Sequence, residues 1–173
     1  MYGLLNAALK EFVTTNHGGD AWDSVAQRAG VSGIQFNKMD PYPDALTYTL
    51  VGEVASATSQ PVDAVLDQFG EHWVAYTAAQ GYGPLFDIAG DSLCDFLLSL
   101  NELHLRVGRS FPKLVPPSFR FDTINPHTLR MHYISQRECL CPMVPGLLRW
   151  LSNRFKTPIQ VMEDACARRG ADH

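Results

Sequence analysis

No apolar run in this chain reaches the roughly 18–20 residues that a membrane helix requires, so a helical membrane span is not expected. Charge is sparse as well. Charged residues make up 18% of the sequence, with 14 basic against 18 acidic side chains and no long basic run, which argues against nucleic acid as the main partner. The 46% hydrophobic content is too high for a disordered chain and enough for a proper core in 173 residues, about one ordinary domain. The opening MYGLLNAALKEF has no basic region and no cleavage-like site, so no secretory leader is read. The only cysteines are Cys94, Cys139, Cys141 and Cys166. Without a leader they read as thiols rather than a disulfide framework, and a cytoplasmic location is expected. There is no internal repeat and no low-complexity segment.

What is present is helical first. Tyr2 to Thr14 carries Leu4, Leu5, Ala8, Leu9 and Phe12 at helical spacing. Asp20 is a candidate cap for a helix running to about Ala29, with Gly30 at its end. Ala45 to Ala57 reads as a helix despite its β-branched residues, and Pro61 opens another that carries Val65, Leu66, Phe69, Trp73 and Tyr76 before Gly81-Tyr82-Gly83-Pro84 breaks it. Ser92 to about Gly108 reads as one helix with a continuous stripe of Leu93, Phe96, Leu97, Leu100, Leu103, His104 and Val107, with Cys94 expected to be buried.

After Pro112 the pattern changes. Ser118 to Ile124 and Thr128 to Gln136 look like strands joined by an Asn125-Pro126-His127 turn, Met143 to Phe155 like a helix, and Pro158 to Ala167 like a further strand. Arg169-Gly170-Ala171-Asp172 looks like a turn, and a further strand is expected after it that this sequence does not contain. Helices followed by a mostly antiparallel sheet with one inserted helix make an α+β arrangement.

Two features carry chemistry. Alternate residues of a strand share a face, so Tyr133, Ser135 and Arg137 would stand side by side and offer two hydroxyls and a guanidinium fork to carboxylates or a phosphate. Read alone, they are equally a solvated strand end. His104 lies on a strongly apolar helix face. A lone histidine there is either a core residue with a hydrogen-bonded ring or a single axial ligand for heme iron, since no Asp, Glu or Cys nearby completes a zinc triad. The sequence has no Cys-x-x-Cys-His attachment motif, so any heme would be held non-covalently.

Met1-Tyr2-Gly3-Leu4, Phe69-Gly70-Glu71-His72-Trp73, Leu100-Asn101-Glu102-Leu103-His104, Pro116-Pro117-Ser118-Phe119, Tyr133/Ser135/Arg137 and Gly146-Leu147-Leu148 occur in order over nearly the whole chain. In this set the chain resembles the H-NOX (heme nitric oxide/oxygen-binding) domain, also the sensor of soluble guanylate cyclase, and looks most like the stand-alone bacterial members. The resemblance implies a single domain over 1–173, with a distal helical part to about residue 60 and a proximal part from about 61, enclosing a non-covalent heme b between them. It implies His104 as proximal iron ligand, Tyr133, Ser135 and Arg137 on the heme propionates, and Pro117 pressing on the macrocycle. Leu5, Leu9, Trp73 and Met143 match distal-pocket positions. Oxygen-binding members carry a tyrosine at the Met143 position, and Met143 cannot donate a hydrogen bond. The expectation is therefore a sensor of nitric oxide, also taking carbon monoxide and excluding oxygen. The indole N–H of Trp73 is the one feature that would favour oxygen.

Some family members hold a structural zinc near the C-terminus. Cys139, Cys141, Cys166 and His173 are candidates by type, but Glu163 stands about where such a member has its histidine, so free thiols are the preferred reading. The resemblance implies no catalysis. It implies a two-state element made of the His104 helix and the cofactor, read out by a separate effector such as a histidine kinase or a cyclic-di-nucleotide enzyme. Two other classes stay open: a heme-free interaction module that keeps the fold, and a cysteine hydrolase using Cys94 or Cys139, for which no nucleophile elbow is present.

Overall fold

A computed structural model of the chain describes residues 1–165. The expected turn at 169–172, Cys166 and His173 lie outside the described residues. Eight helices and one hairpin follow in the order α1 (Gly3–His17), α2 (Gly19–Arg28), α3 (Asp44–Thr58), α4 (Val62–Thr77), α5 (Gly83–Asp87), α6 (Leu93–Leu98), α7 (Leu100–Gly108), β1 (Ser118–Asn125), β2 (Thr128–Ile134) and α8 (Met143–Arg154). This is the α+β order expected. No helix among the described residues is long and apolar enough to cross a membrane.

The chain divides into two compact units. The first is Met1–Thr77 with Pro142–Trp150, and the second is Ala78–Cys141 with Leu151 onward. The division falls after α4. It coincides with the segment Ala78–Tyr82, where the chain leaves helical geometry at Gln80 and at Gly81, whose φ of 94° suits glycine.

The first unit is a helical bundle. Leu9, Val13, Val25, Leu50, Val54, Val65, Leu66 and Phe69 are almost fully removed from solvent, and each such side chain contributes about 1.5–3 kcal/mol by burial. α3 forms despite Thr47, Thr49, Val51 and Val54, because its apolar face is buried: tertiary packing outweighs a weak local preference. Asp20 does not cap α2. The cap is Gly18, at φ 89°, and Asp20 sits in the first turn, where its charge suits the helix dipole. Two glycines set the approach of α8 to α4. A methyl group at Gly70 would collide with the Met143 carbonyl, and one at Gly146 with the Asp67 carbonyl. Arg149 adds a fork across the same crossing, donating from Nε to Glu71 at 2.9 Å and from Nη2 to Asp67 at 2.5 Å.

In the second unit the expected single helix over Ser92–Gly108 is two. Ser92 caps α6, accepting from the Asp95 amide at 3.2 Å and donating to its carboxylate at 2.6 Å. At Ser99 the backbone turns to φ −88°, ψ −3°, while its hydroxyl donates to the Phe96 carbonyl at 2.9 Å. That bond competes with the helix ladder, and α6 ends there. The apolar stripe runs on across the break: Leu93, Phe96, Leu97 and Leu103 are buried and Leu100, His104 and Val107 half-buried, while Leu98 and Leu105, which lie off the stripe, face solvent. Cys94 is exposed, not buried. Phe96 anchors this core between Phe86 and Phe155, each at 5.6 Å between ring centroids.

β1 and β2 pair antiparallel, with Phe119 opposite Tyr133 and Asp122 opposite Arg130. Phe119, Phe121, Leu129, Met131 and Tyr133 take the half-buried face, whereas Arg120 and Asp122 are exposed on the other. β2 ends at Ile134, two residues short of the expected strand. Pro158–Ala165 forms no strand, although Asp164 holds Arg130 of β2 at 3.0 Å.

Candidate functional site

His104 sits in the middle of α7, half-buried. Its Nδ1 is enclosed and has no hydrogen-bond partner among the described residues. Burial pushes the imidazole pKa below its usual value, and the Pro117 carbonyl partly counteracts by favouring a proton on the ring. The ring is therefore held as neutral imidazole, the form that ligates metals. It lies 5.8 Å from the ring of Phe119 at 33°, and Phe119 in turn lies 5.8 Å from Tyr133 across the hairpin. A row of rings thus runs from His104 to the first member of the polar triplet.

The sequence reading missed Asn101. One turn before His104, its Nδ2 donates to the Phe119 carbonyl at 2.7 Å and its Oδ1 accepts from the Phe119 amide at 2.9 Å. The side-chain amide takes the place of a neighbouring strand at that residue. Nothing in the spacing of Asn101 marks it, because its partner is 18 residues away and is backbone.

The structure brings Tyr133, Ser135 and Arg137 together, but not as three residues of one strand. Tyr133 belongs to β2, while Ser135 and Arg137 follow its end. Ser135 joins them: its hydroxyl is hydrogen-bonded to Tyr133, and its Oγ accepts from the Arg137 amide at 3.0 Å. Burial pushes the Tyr133 phenol up, while the bond to Ser135 and the Arg137 charge pull it down. The Arg137 guanidinium donates to the Val115 carbonyl, directly before Pro116-Pro117. The proline step is thus held by Arg137 at the Val115 carbonyl, and its Pro117 carbonyl lies close enough to His104 to favour a proton on the ring.

The remaining sequence candidates lie in the first unit. Leu5 and Leu9 are one turn apart on α1, Leu5 half-buried and Leu9 fully buried. Trp73 is half-buried on α4, and its indole N–H makes no hydrogen bond among the described residues. Met143 opens α8, its carbonyl lying against Gly70, three residues before Trp73. Cys94, Cys139 and Cys141 form no disulfide among the described residues, and no group of three metal-ligating side chains occurs there.

A family model described as haem-NO-binding matches residues 2–163. The chain belongs to the H-NOX family. An H-NOX protein from S. oneidensis in the Fe(II)NO ligation state superposes with a TM-score of 0.90 at 22% identity, covering 100% of this chain and 95% of that one. A histidine-to-glycine mutant of the H-NOX domain from Shewanella oneidensis in the Fe(II)CO ligation state gives 0.86 at 21%, covering 100% and 94%. Among curated proteins, soluble guanylate cyclase gcy-35 of Caenorhabditis elegans is 28% identical over 166 residues, 94% of this chain and 24% of its own length. The rat guanylate cyclase soluble subunit beta-2 is 30% identical over 94 residues, 54% of this chain and 14% of that one. The H-NOX chain therefore spans about a quarter or less of the length of these cyclases. H-NOX domains bind heme, and the residues present fit that group. His104 offers an imidazole whose enclosed Nδ1 has no partner among the described residues, and the hairpin end supplies neutral and cationic donors suited to carboxylates.

Proposed function

We propose that this chain is a heme-based sensor of nitric oxide that also takes carbon monoxide, excludes oxygen and reports to a separate effector protein. The observation that carries this reading is the His104 environment: a half-buried neutral imidazole on an apolar helix, joined through Phe119 to Tyr133. His104 would be the single axial ligand of a non-covalently held heme b. Tyr133, Ser135 and Arg137 would receive the two carboxylates, with Arg137 supplying the positive charge and Ser135 keeping Tyr133 oriented. Pro117, fixed between the His104 and Arg137 attachments, would bear on the macrocycle. When bound, heme supplies a ferrous iron with one open position for a diatomic gas.

Leu5, Leu9, Trp73 and Met143 would line the gas side. Apolar walls disfavour charge, and holding oxygen would call for a hydrogen-bond donor on this side far more than holding nitric oxide or carbon monoxide would. Met143 offers none. The signal would leave through α7, whose two attachments, His104 and the Asn101–Phe119 clamp, make its position sensitive to the load on His104. The effector would be a histidine kinase or a cyclic-di-nucleotide enzyme, as in stand-alone bacterial members, and exposed thiols at Cys94 and Cys139 suit a reducing cytoplasm.

The test is the visible spectrum of His104→Gly. The variant should lose its axial ligand and regain a ligated spectrum when free imidazole is added. A normal ferrous–imidazole spectrum without added imidazole would show that another residue holds the iron. A second reading, an oxygen-binding sensor, is favoured by the unpartnered indole N–H of Trp73. A ferrous–oxy spectrum stable in air would select it.

A further inference from the structure

His72 stands beside the gas-side machinery and has no part in it so far. Its Nε2 is buried without a hydrogen-bond partner among the described residues. A buried nitrogen left without a partner is costly, and native structures rarely keep one without a role. The ring lies on the seam of α1 and α4. It is stacked at 26° on Phe69 and at 28° on Tyr76, and meets Phe12 of α1 at 5.6 Å. The Glu11 carboxylate of α1 is 4.0 Å from Nε2, just outside hydrogen-bond reach, on a side chain more than half exposed and free to swing inward.

α1 also carries Leu5 and Leu9, and the residue after His72 on α4 is Trp73. The seam that His72 occupies therefore sets the spacing of two helices that hold three of the four gas-side residues.

The other charged groups near this seam are engaged or point elsewhere. Glu71 and Asp67 of α4 are held by Arg149 of α8, Lys38 lies over the outer ring of Tyr76 at 5.4 Å, Lys10 of α1 lies over Trp22, and His17 packs on the edge of Phe12. Glu11 is the one carboxylate placed to meet a proton on His72. Burial holds the imidazole below its ordinary pKa, opposed by Glu11 and by the Ala8 carbonyl.

We propose that His72 is a positioning residue for the gas pocket, and that the His72–Glu11 pair is a proton-operated latch between α1 and α4. This rests on the assignment of Leu5, Leu9 and Trp73 to the gas side. With the ring neutral, it meets α1 through the Phe12 ring and the Ala8 carbonyl, and Glu11 stays outside hydrogen-bond reach. On mild acidification the ring takes a proton at Nε2, the 4.0 Å gap closes to a charge-assisted hydrogen bond, and α1 is drawn onto α4. Gas binding then depends on pH through a pair that touches no heme-binding residue identified above.

Two readouts test this. Histidine ring resonances of the full chain give the His72 titration directly, whether or not heme is bound. Its midpoint should lie below that of the exposed histidines and fall further, by about one pH unit, in Glu11→Gln. Carbon monoxide rebinding to the ferrous protein after flash photolysis should show a step at the wild-type midpoint, shifted in Glu11→Gln and absent in His72→Phe, with heme content unchanged in both. An unmoved His72 midpoint in Glu11→Gln overturns the latch, and so does a rebinding rate that is flat with pH or whose step survives His72→Phe. A latch intact by resonance in a chain that takes up no heme would instead overturn the gas-sensor reading.

Discussion

Asn101 holds the backbone of Phe119 from both sides, donating to its carbonyl at 2.7 Å and accepting from its amide at 2.9 Å. Phe119 therefore has one position relative to α7, and the ring contact from His104 to Tyr133 depends on it. Asn101→Ala removes both bonds from a partly solvated site, where water replaces part of the loss. A destabilisation of about 1–2 kcal/mol is expected in urea unfolding. Asn101→Asp keeps the acceptor and loses the donor, so it should fall between the wild type and the alanine variant.

The crossing of α4 and α8 should tolerate no side chain. Gly70→Ala drives a methyl group into the Met143 carbonyl, backbone that cannot give without moving α8. A loss of about 1–3 kcal/mol is expected. Gly52, within α3, has open space around it, so Gly52→Ala should be neutral or stabilising by about 0.4–1 kcal/mol. Thermal unfolding of the two variants checks the contrast.

The pH dependence of stability should carry the mark of His72. Its folded pKa is depressed, so below the ordinary histidine range the unfolded chain binds a proton that the folded chain resists. Stability from this group is full above the unfolded pKa and falls as pH drops toward the folded one. Urea midpoints of the wild type and His72→Phe, compared from pH 7.5 down to pH 5, should differ in slope over that window. Parallel curves would deny His72 a perturbed pKa.

Tyr133 should titrate late. Burial raises its phenol, and the hydrogen bond from Ser135 restrains that rise. Ser135→Ala should therefore move the Tyr133 ionisation higher still. The difference in alkaline ultraviolet titration between each protein and its Tyr133→Phe counterpart isolates this one phenol.

Met143→Tyr places a hydroxyl at the start of α8, where the wild type has only a thioether. The ferrous variant is expected to hold oxygen in air when the wild type does not. Visible spectra taken aerobically after reduction distinguish the two.

The helices were largely legible because their signal is local: apolar residues at a 3.6 period gave α1, α4 and α8 to within three residues at either end. The break at Ser99 was not, since one serine hydroxyl turning back on Phe96 leaves the apolar period intact. The polar triplet was legible as a set of residue types, but its arrangement was not. Ser135 and Arg137 are gathered by an Oγ–amide bond beyond the strand rather than by strand alternation. Pro158–Ala165 alternates like a strand but forms no strand, because alternation says which face would be buried and not whether a neighbouring strand is there.

The break at Ser99 also fixes how firmly His104 is held. α7 has only nine residues, too few for a helix to persist in water by its own hydrogen bonds. Its survival is lent by what it touches: Leu103 in the core, the amide of Asn101 on β1, and whatever engages His104. Amide exchange along Leu100–Gly108 should accordingly slow when the imidazole is ligated and quicken when it is released, so that the backbone of this one short helix keeps a record of the state of its histidine.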